Sequence, residues 1–321
     1  MRLLVTGGAG YIGAHFVKMV KELGHEIAVV DNFSQGKKNM INGIEYLEVD
    51  IQDQVRLLSI FEEFKPDVVV HYAALANLEP SLRTPDIYYY NNVVGTLNVL
   101  EAMRAVGCDK IIFSSTAATY GEPVLKDGET IDENYPTIPT SPYGHSKLMV
   151  EQILKDYHRA YRIKSISFRY FCAVGVGEGL GCYHNQETQV VPCLVKGFLG
   201  KKFIVNGNDY DTPDGTPIRD YIHVNDLATA HLKALEHLDG CKVYNLGINR
   251  GYSVLELIKA AEEVVGKKLD YEIGTKRKAD PTRLIGDSTK AQQELGWTPV
   301  HTDIGQVILS DYKFFNEVGN Q

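Results

Sequence analysis

The chain has 321 residues, 44% hydrophobic and 23% charged, with 29 glycines and 12 prolines, which suits one large globular domain plus a smaller one and excludes a disordered or fibrous chain. Lysine and arginine number 33 against 41 acidic residues, for a formal charge of -8, so nothing here tracks a nucleic acid backbone. The five cysteines form no CxxC pair and read as reduced thiols of a cytoplasmic protein, and no apolar run approaches the roughly 18 residues of a membrane-spanning candidate.

The first residues run straight into a strand, which leaves no room for a signal peptide. Short β-branched runs at 3–6, 27–30, 45–49, 68–70, 111–114 and 165–168 alternate with helical patterns at 11–23, 54–64, 85–106 and 142–160. This is the sequence form of βαβ units. It predicts a doubly wound, mostly parallel Rossmann-type α/β sheet with helices on both faces. Beyond about residue 170 the rhythm changes. A glycine-rich polar loop at 174–188 precedes an apolar helical stretch at 190–199 and a turn-rich segment at 206–216, and further helices are predicted at 225–238, 254–265, 288–295 and 301–315. A dinucleotide-binding domain over 1–172 and a smaller C-terminal α/β substrate domain over 173–321 are expected, with segments around 218–250 returning to the first domain.

LLVTGGAGYIG at 3–13 places a glycine turn between a strand and a helix. Gly7 suits the tight turn, Gly10 the approach of a pyrophosphate, and Gly13 close helix-to-sheet contact; Tyr11 and Ile12 open the helix whose N-terminal N–H groups face the phosphates. Asp31 ends the next strand, about 20 residues on, where a carboxylate accepts from the adenosine ribose. NAD is the expected cofactor, since that carboxylate repels a 2′-phosphate, although Lys37 and Lys38 stand close by. Asp50 and Ile51, after the third strand, are placed to flank an adenine; an ordinary turn with a buried isoleucine is the alternative.

SPYGHSK at 141–147 resembles a helix start, with Ser141 as N-cap and Pro142 at the first helical position. Tyr143 and Lys147 then share one face. A nearby ammonium and a positive nicotinamide both favour the phenolate, so this pair suits removal of a hydroxyl proton while hydride leaves for a cofactor. Thr116, at the carboxyl end of the preceding strand, can orient the reacting hydroxyl, and Ser115 satisfies the backbone. His71 and Asn92 lie near the same crevice, where a satisfied core histidine and a helix-surface asparagine are equally good readings. The sequence has no HExxH, no thiolate-histidine cluster and no GxxxxGK[ST], so no metal site or P-loop is supported.

These stretches, together with HYAA at 71–74, NNVVGTLNVLEAM at 91–103, FSSTAATYGEP at 113–123, RYF at 169–171, HNQETQVVP at 184–192 and GNDYDTPDGTPIRDYIHVNDLA at 207–228, resemble an extended short-chain dehydrogenase/reductase of the epimerase branch. The resemblance implies reversible inversion at C4 of a UDP-hexose, UDP-glucose or UDP-galactose, through a 4-keto sugar with tightly held NAD. It implies Tyr143 as base, Lys147 as cofactor anchor and Thr116 as assisting hydroxyl. Gly7, Gly10 and Gly13 would border the pyrophosphate, Asp31 and Asn32 the ribose, and Asp50 and Ile51 the adenine. Arg219 and Arg277 would hold the diphosphate, with Gln189, Val190 and Asp280 nearby, and a homodimer is implied. Leu284 corresponds to a position that limits room beside the sugar's 2-substituent.

The chain departs from that pattern at Cys172, where asparagine is usual, at Gln189-Val190 for histidine-leucine, and at Ala279 for glycine. Other UDP-sugars (UDP-xylose, UDP-glucuronate, UDP-N-acetylhexosamine) remain alternatives. A 4,6-dehydratase needs carboxylates where Ala117 and Ala118 stand, and a noncatalytic NAD sensor has no need of both Tyr143 and Lys147.

Overall fold

Strand β1 (Arg2–Thr6) reads RLLVT, and its Leu3, Leu4 and Val5 are completely buried; a strand apolar on both faces must be covered on both sides. In the computed structural model, which describes residues 1–177, 179–182, 189–278 and 280–318, the cover comes from helices laid down by successive crossovers. After β1 come α1 (Tyr11–Glu22), β2 (Glu26–Asp31), β3 (Tyr46–Glu48), α2 (Gln54–Phe64), β4 (Val68–His71), α3 (Leu78–Arg83), α4 (Pro85–Tyr89), a π-helical turn (Tyr90–Val94), α5 (Gly95–Val106), β5 (Lys110–Thr116), α6 (Pro142–Tyr161) and β6 (Lys164–Tyr170). The remainder comprises β7 (Cys172–Val174), α7 (Val190–Phe198), β8 (Phe203–Asn206), β9 (Ile218–His223), α8 (Val224–Ala234), β10 (Cys241–Leu246), β11 (Gly251–Ser253), α9 (Val254–Val265), β12 (Tyr271–Gly274), β13 (Arg283–Leu284), α10 (Thr289–Leu295) and α11 (Ile304–Val318).

Seven strands form one parallel sheet in the order β10-β6-β5-β4-β1-β2-β3. On one face Phe16, Val17 and Val20 of α1 and Leu227, Ala228 and Ala230 of α8 pack against Leu3 and Val5. On the other, Leu57 and Phe61 of α2, Val99 and Leu100 of α5, and Val150 and Leu154 of α6 pack against Leu4 and Val69. Strand order reverses between β1 and β4, which opens a crevice at their carboxyl ends. Strand β10 adds to the edge of this sheet beside β6.

The smaller part is built around β9, flanked by β11 on one side and by β13 on the other and paired also with β7, with β12 paired to β8 as a separate ribbon. Its core joins Val191, Leu194 and Val195 of α7 to Leu257, Ile258 and Ala261 of α9 and Ile308 of α11. A capping box of Ser253 and Glu256 starts α9.

Two helices differ from the sequence reading for identifiable reasons. The stretch expected as one helix over 85–106 contains the π-helical turn, which pulls Asn92 inward: its side chain donates to Leu75 O at 3.0 Å and to Ser146 Oγ at 3.0 Å and accepts from Leu75 N at 2.8 Å. The last helix begins at Ile304 rather than 301, because the backbone of Val300 and His301 is held by the Asp226 carboxylate and Asp303 accepts from Gly305 N and Gln306 N. No helix among the described residues is long and apolar enough to cross a membrane, and the five cysteines are free thiols.

His71 is a core residue. Its Nε2 lies 2.8 Å from Thr96 Oγ1, and Thr96 already gives its own proton to Asn92 O at 2.6 Å; Nε2 therefore carries the proton, and Nδ1 accepts from Thr6 Oγ1 at 2.6 Å. Burial lowers His71 to about 3 and likewise His231, in α8, to about 3. Between that value and the ordinary histidine pKa near 6.5 the unfolded chain binds protons that the native protein refuses, so stability is full above pH 6.5 and falls with acidification. The fall should be steep below pH 6.5 in urea titrations, with each such histidine contributing about 1.4 kcal/mol per pH unit. His71→Gln should lessen the slope by about that amount, and an unchanged slope would contradict the assignment.

Candidate active site

The crevice at the strand reversal encloses about 400 Å³ and is lined by the glycine turn, the ends of β2 and β4, the start of α6 and Gln189. Its floor depends on missing side chains. Gly7 sits at φ +70°, and a Cβ there would lie 2.5 Å from Ala73 N; a Cβ on Gly13 would lie 2.5 Å from Gly7 O. Gly10 caps α1 with no side-chain bond, so the helix N-terminus faces the crevice bare. Tyr11 and Ile12 line it, and the Tyr11 hydroxyl donates to Gly175 O.

Asp31 ends β2 with one oxygen accepting from Ala9 N at 3.0 Å and the other from Phe33 N at 2.8 Å. Burial raises its pKa and those two bonds pull it back; the carboxylate keeps lone pairs for further donors. Lys38 is turned away, paired with Glu48 at 2.7 Å. Asn32 and Ile51 also line the crevice. Asp50 is not on its wall, because its carboxylate takes Asn32 Nδ2 and Gln52 N, each at 2.8 Å. A glycine cradle that any Cβ would fill, a bare helix N-terminus and a carboxylate one strand away fit NAD. At the far end the buried Tyr72 hydroxyl has no hydrogen-bond partner among the described residues.

Helix α6 supplies the reacting pair. Ser141 Oγ accepts from Gly144 N at 3.2 Å and Pro142 occupies the first turn. Gly144 lets the helix settle on the 117–120 turn, since a Cβ there would lie 2.6 Å from Ala118 O. Tyr143 and Lys147 both reach the crevice wall. Burial pushes the Tyr143 phenol up to about 12, and a hydrogen bond with the Thr116 side chain holds it back. Lys147 is 2% exposed, donates to Ser114 O at 2.7 Å, and is lowered by burial to about 7. The structure thus brings Tyr143, Lys147 and Thr116 together. Ser114, at the strand end where the sequence places hydroxyls, shares the wall, as do Tyr88 and Tyr170, which no motif singles out; Tyr170, next to Arg169 in RYF, carries the nearest signal.

A second group lies on β9 and its neighbours. Arg219 is 8% exposed and spends its donors internally, on Ile218 O at 2.7 Å, Asp280 and Pro281 O. With the Asn206 amide turned so that its oxygen faces it, Arg277 donates to Asn206 through Nε at 3.1 Å and Nη2 at 3.0 Å. Tyr210 sits within electrostatic reach of Asp280, Arg219 and Arg277 together. Cys172 neighbours Arg219 and is a neutral thiol, raised by burial to about 11. Its neighbour Ala173 lines the crevice, so the short strand β7 joins the two groups. Val190 opens α7 and packs on the core of the smaller part, while Gln189 Oε1 lies 3.8 Å from Cys182 Sγ. Leu284 packs with Ala117, Tyr120 and Phe171, off the crevice wall. Residues 184–188 and Ala279 lie outside the described residues.

A doubly wound sheet, a dinucleotide cradle and a tyrosine-lysine pair on one helix define a nucleotide-dependent oxidoreductase scaffold, and residues 3–247 match the NAD dependent epimerase/dehydratase family. The chain belongs to that family. It is 40% identical to a UDP-glucose 4-epimerase of Corynebacterium glutamicum, over 100% of this chain and 98% of the relative. It resembles the UDP-glucose 4-epimerase of Bifidobacterium longum solved with NAD+ and UDP, at TM-score 0.94 and 38% identity over 100% and 99% of the two chains. It also resembles that of Stenotrophomonas maltophila solved with NAD and formylated UDP-arabinopyranose, at TM-score 0.92 and 34% identity over 100% and 99%.

Asp31→Asn keeps the shape of the cradle and removes its charge. A charge-assisted hydrogen bond is worth about 1.5 to 3 kcal/mol, so NAD affinity should fall about 10- to 150-fold. Dinucleotide released by denaturation and then identified provides the check; recovery of NADP alone from the wild type would overturn the assignment of Asp31.

Proposed function

We propose that the protein interconverts UDP-glucose and UDP-galactose by NAD-dependent inversion at C4. The observation that carries this is the convergence of Tyr143, Lys147 and the Thr116 side chain on a crevice whose other end is the glycine cradle. The near full-length similarity to UDP-glucose 4-epimerases supports the choice of substrate.

Gly7, Gly10, Gly13, Tyr11 and Ile12 would hold the pyrophosphate, and Asp31 with Asn32 the ribose. NAD, when bound, supplies the acceptor that takes the C4 hydride and later returns it. Tyr143 removes the proton of the C4 hydroxyl, so that C4 becomes a carbonyl as its hydrogen leaves with the bonding electrons. Thr116 orients that hydroxyl through its contact with Tyr143. Lys147, fixed to Ser114 O, places positive charge beside the forming phenolate and lowers the cost of ionising a buried phenol. Arg219 and Arg277 bring permanent positive charge to the UDP diphosphate, with Asp280 setting the pose of Arg219, whose Nη atoms are already engaged by Ile218 O, Asp280 and Pro281 O. Strong binding at the diphosphate and weak binding of the hexose let the 4-keto sugar turn while it stays in the site. The reverse proton transfer from Tyr143 completes inversion. Ala117 and Ala118 supply no acid or base for water loss, so the sugar leaves with its oxygen atoms intact.

UDP-galactose incubated in heavy water should yield UDP-glucose without deuterium on carbon, because the C4 hydrogen never exchanges with solvent. Tyr143→Phe should lose about 10² to 10⁴-fold in kcat and still retain dinucleotide. Carbon-bound deuterium in the product, or a Tyr143→Phe enzyme as fast as wild type, would defeat the mechanism.

The working unit is a homodimer in this reading. Tyr89, Tyr90, Val93 and Val94 beside Met149 of α6 form an apolar surface, with Tyr90 57% and Met149 47% exposed; a patch of this kind is suited to a second copy. Met149→Glu should shift the sedimenting species from dimer to monomer, and a wild type that sediments as a monomer at micromolar concentration would refute it.

A further inference from the structure

Tyr143 and Lys147 stand four residues apart on α6, and the next position in that row is Glu151. Glu151 is 2% exposed, a costly place for a lone carboxylate. Ser115 Oγ, expected to satisfy the backbone, instead donates to its Oε1 at 2.5 Å, and Arg169 grips both oxygens, Nε to Oε1 at 3.0 Å and Nη2 to Oε2 at 2.6 Å. Ser115 stands between Ser114, whose carbonyl accepts from Lys147, and Thr116, which meets Tyr143. Arg169 precedes Tyr170 on the crevice wall. The carboxylate thus ties α6 to β5 and β6, one helical turn below Lys147.

The chain of bonds continues. Arg169 Nη1 donates to the Tyr120 hydroxyl at 2.9 Å, Tyr120 donates to Asn245 Oδ1 at 2.7 Å, and Asn245 Nδ2 donates to Ile131 O at 2.8 Å. Ile131 in turn pairs with the segment just after β13, donating to Ile285 O at 2.9 Å and accepting from Asp287 N at 2.8 Å. Strand β13 lies beside Ile218 and Arg219. Every polar side chain along the route is buried and bonded to the next, and none of Glu151, Arg169, Tyr120 and Asn245 lines the crevice.

We infer that Glu151 and Arg169 are positioning residues for the epimerisation: their buried pair, continued through Tyr120 and Asn245, fixes the register of α6 against β5 and β6 and thereby the spacing between the Tyr143 phenol and the part of the protein that carries Arg219. The inference rests on the epimerase reading above. Because none of these side chains lines the crevice, their loss falls on kcat and leaves KM in place. A displacement of about 1 Å at the reacting atoms is enough to cost about 10²-fold.

Glu151→Gln alone strands a buried guanidinium, so the test uses the double variant Glu151→Met with Arg169→Met, which removes both charges at similar volume, beside Tyr120→Phe and Arg169→Lys. In folded, dinucleotide-loaded holoenzyme the double variant should show kcat for UDP-galactose about 10²-fold down with KM within about twofold. Tyr120→Phe should show the same pattern at a few-fold, and Arg169→Lys, which keeps charge but loses the fork, should fall between. Amide exchange in the first turns of α6 should quicken about tenfold or more in the double variant. A folded double variant with wild-type kcat, or one whose loss is entirely in KM, would overturn the proposal. A wild type inactive on both sugars would defeat the functional reading by itself, and α6 exchange would then decide this inference: faster exchange supports it, unchanged exchange overturns it.

Discussion

Three backbone segments meet at the glycine turn with no side chain between them: the turn after β1, the first coil of α1, and the chain leaving β4. Gly7 and Gly13 permit the contact, and any larger residue at either place would put a carbon atom inside van der Waals distance of a neighbouring backbone atom. The rest of the site is measured from this junction. It sets the height of the α1 N-terminus over the sheet, and with it the place where phosphate charge is favourable. The side-chain hydroxyl of Thr6, the last residue of β1, bonds His71 at the end of β4, so the two strands that flank the reversal are also joined underneath.

Burial acts in opposite directions on the two reacting side chains. It raises the phenol of Tyr143 and lowers the ammonium of Lys147, so each is pressed toward its neutral form. The charge pattern needed for proton removal is therefore not supplied by these two side chains alone. A cationic ring and an anionic substrate alter the local field when they enter, and the acid-base chemistry becomes coupled to occupancy of the site.

The parallel sheet was legible because β1, β2, β4 and β5 are apolar on both faces and because caps such as Ser141-Pro142 mark helix starts; the six strands and four helices read from the first 170 residues have counterparts, the helix over 85–106 being divided by the π-helical turn. Strands β7 to β13 left little trace: five have only two to four residues, and β9 (IRDYIH) and β10 (CKVYNL) interleave charged or polar residues with apolar ones rather than forming an apolar run. At the site, spacing along one helix identified Tyr143 and Lys147. It could not reveal that Glu151 is the next member of that row, because its partners Ser115 and Arg169 come from distant strands. Nor could it separate Ile51, which lines the crevice, from Asp50, whose carboxylate binds Asn32 and Gln52. Arg219 shows the same limit: residue type announced an anion-binding group, while only the fold shows how much of its hydrogen-bonding capacity Asp280 and Pro281 already occupy.

The position of β10 has a consequence for how the molecule comes into being. Its partner in the sheet is β6, and the paired residues Ser165 and Cys241 are 76 positions apart. A ribosome adding about 5–20 residues per second takes roughly 4 to 15 seconds to make that interval. For that time β6 is an open sheet edge with Ile166, Phe168 and Tyr170 on one face, the kind of surface on which strands from other nascent chains add. Asn245, which anchors the buried polar chain, arrives on the same late strand. The protective edge and the last fastening of the reacting helix are therefore delivered together, and a chain arrested before Leu246 lacks both.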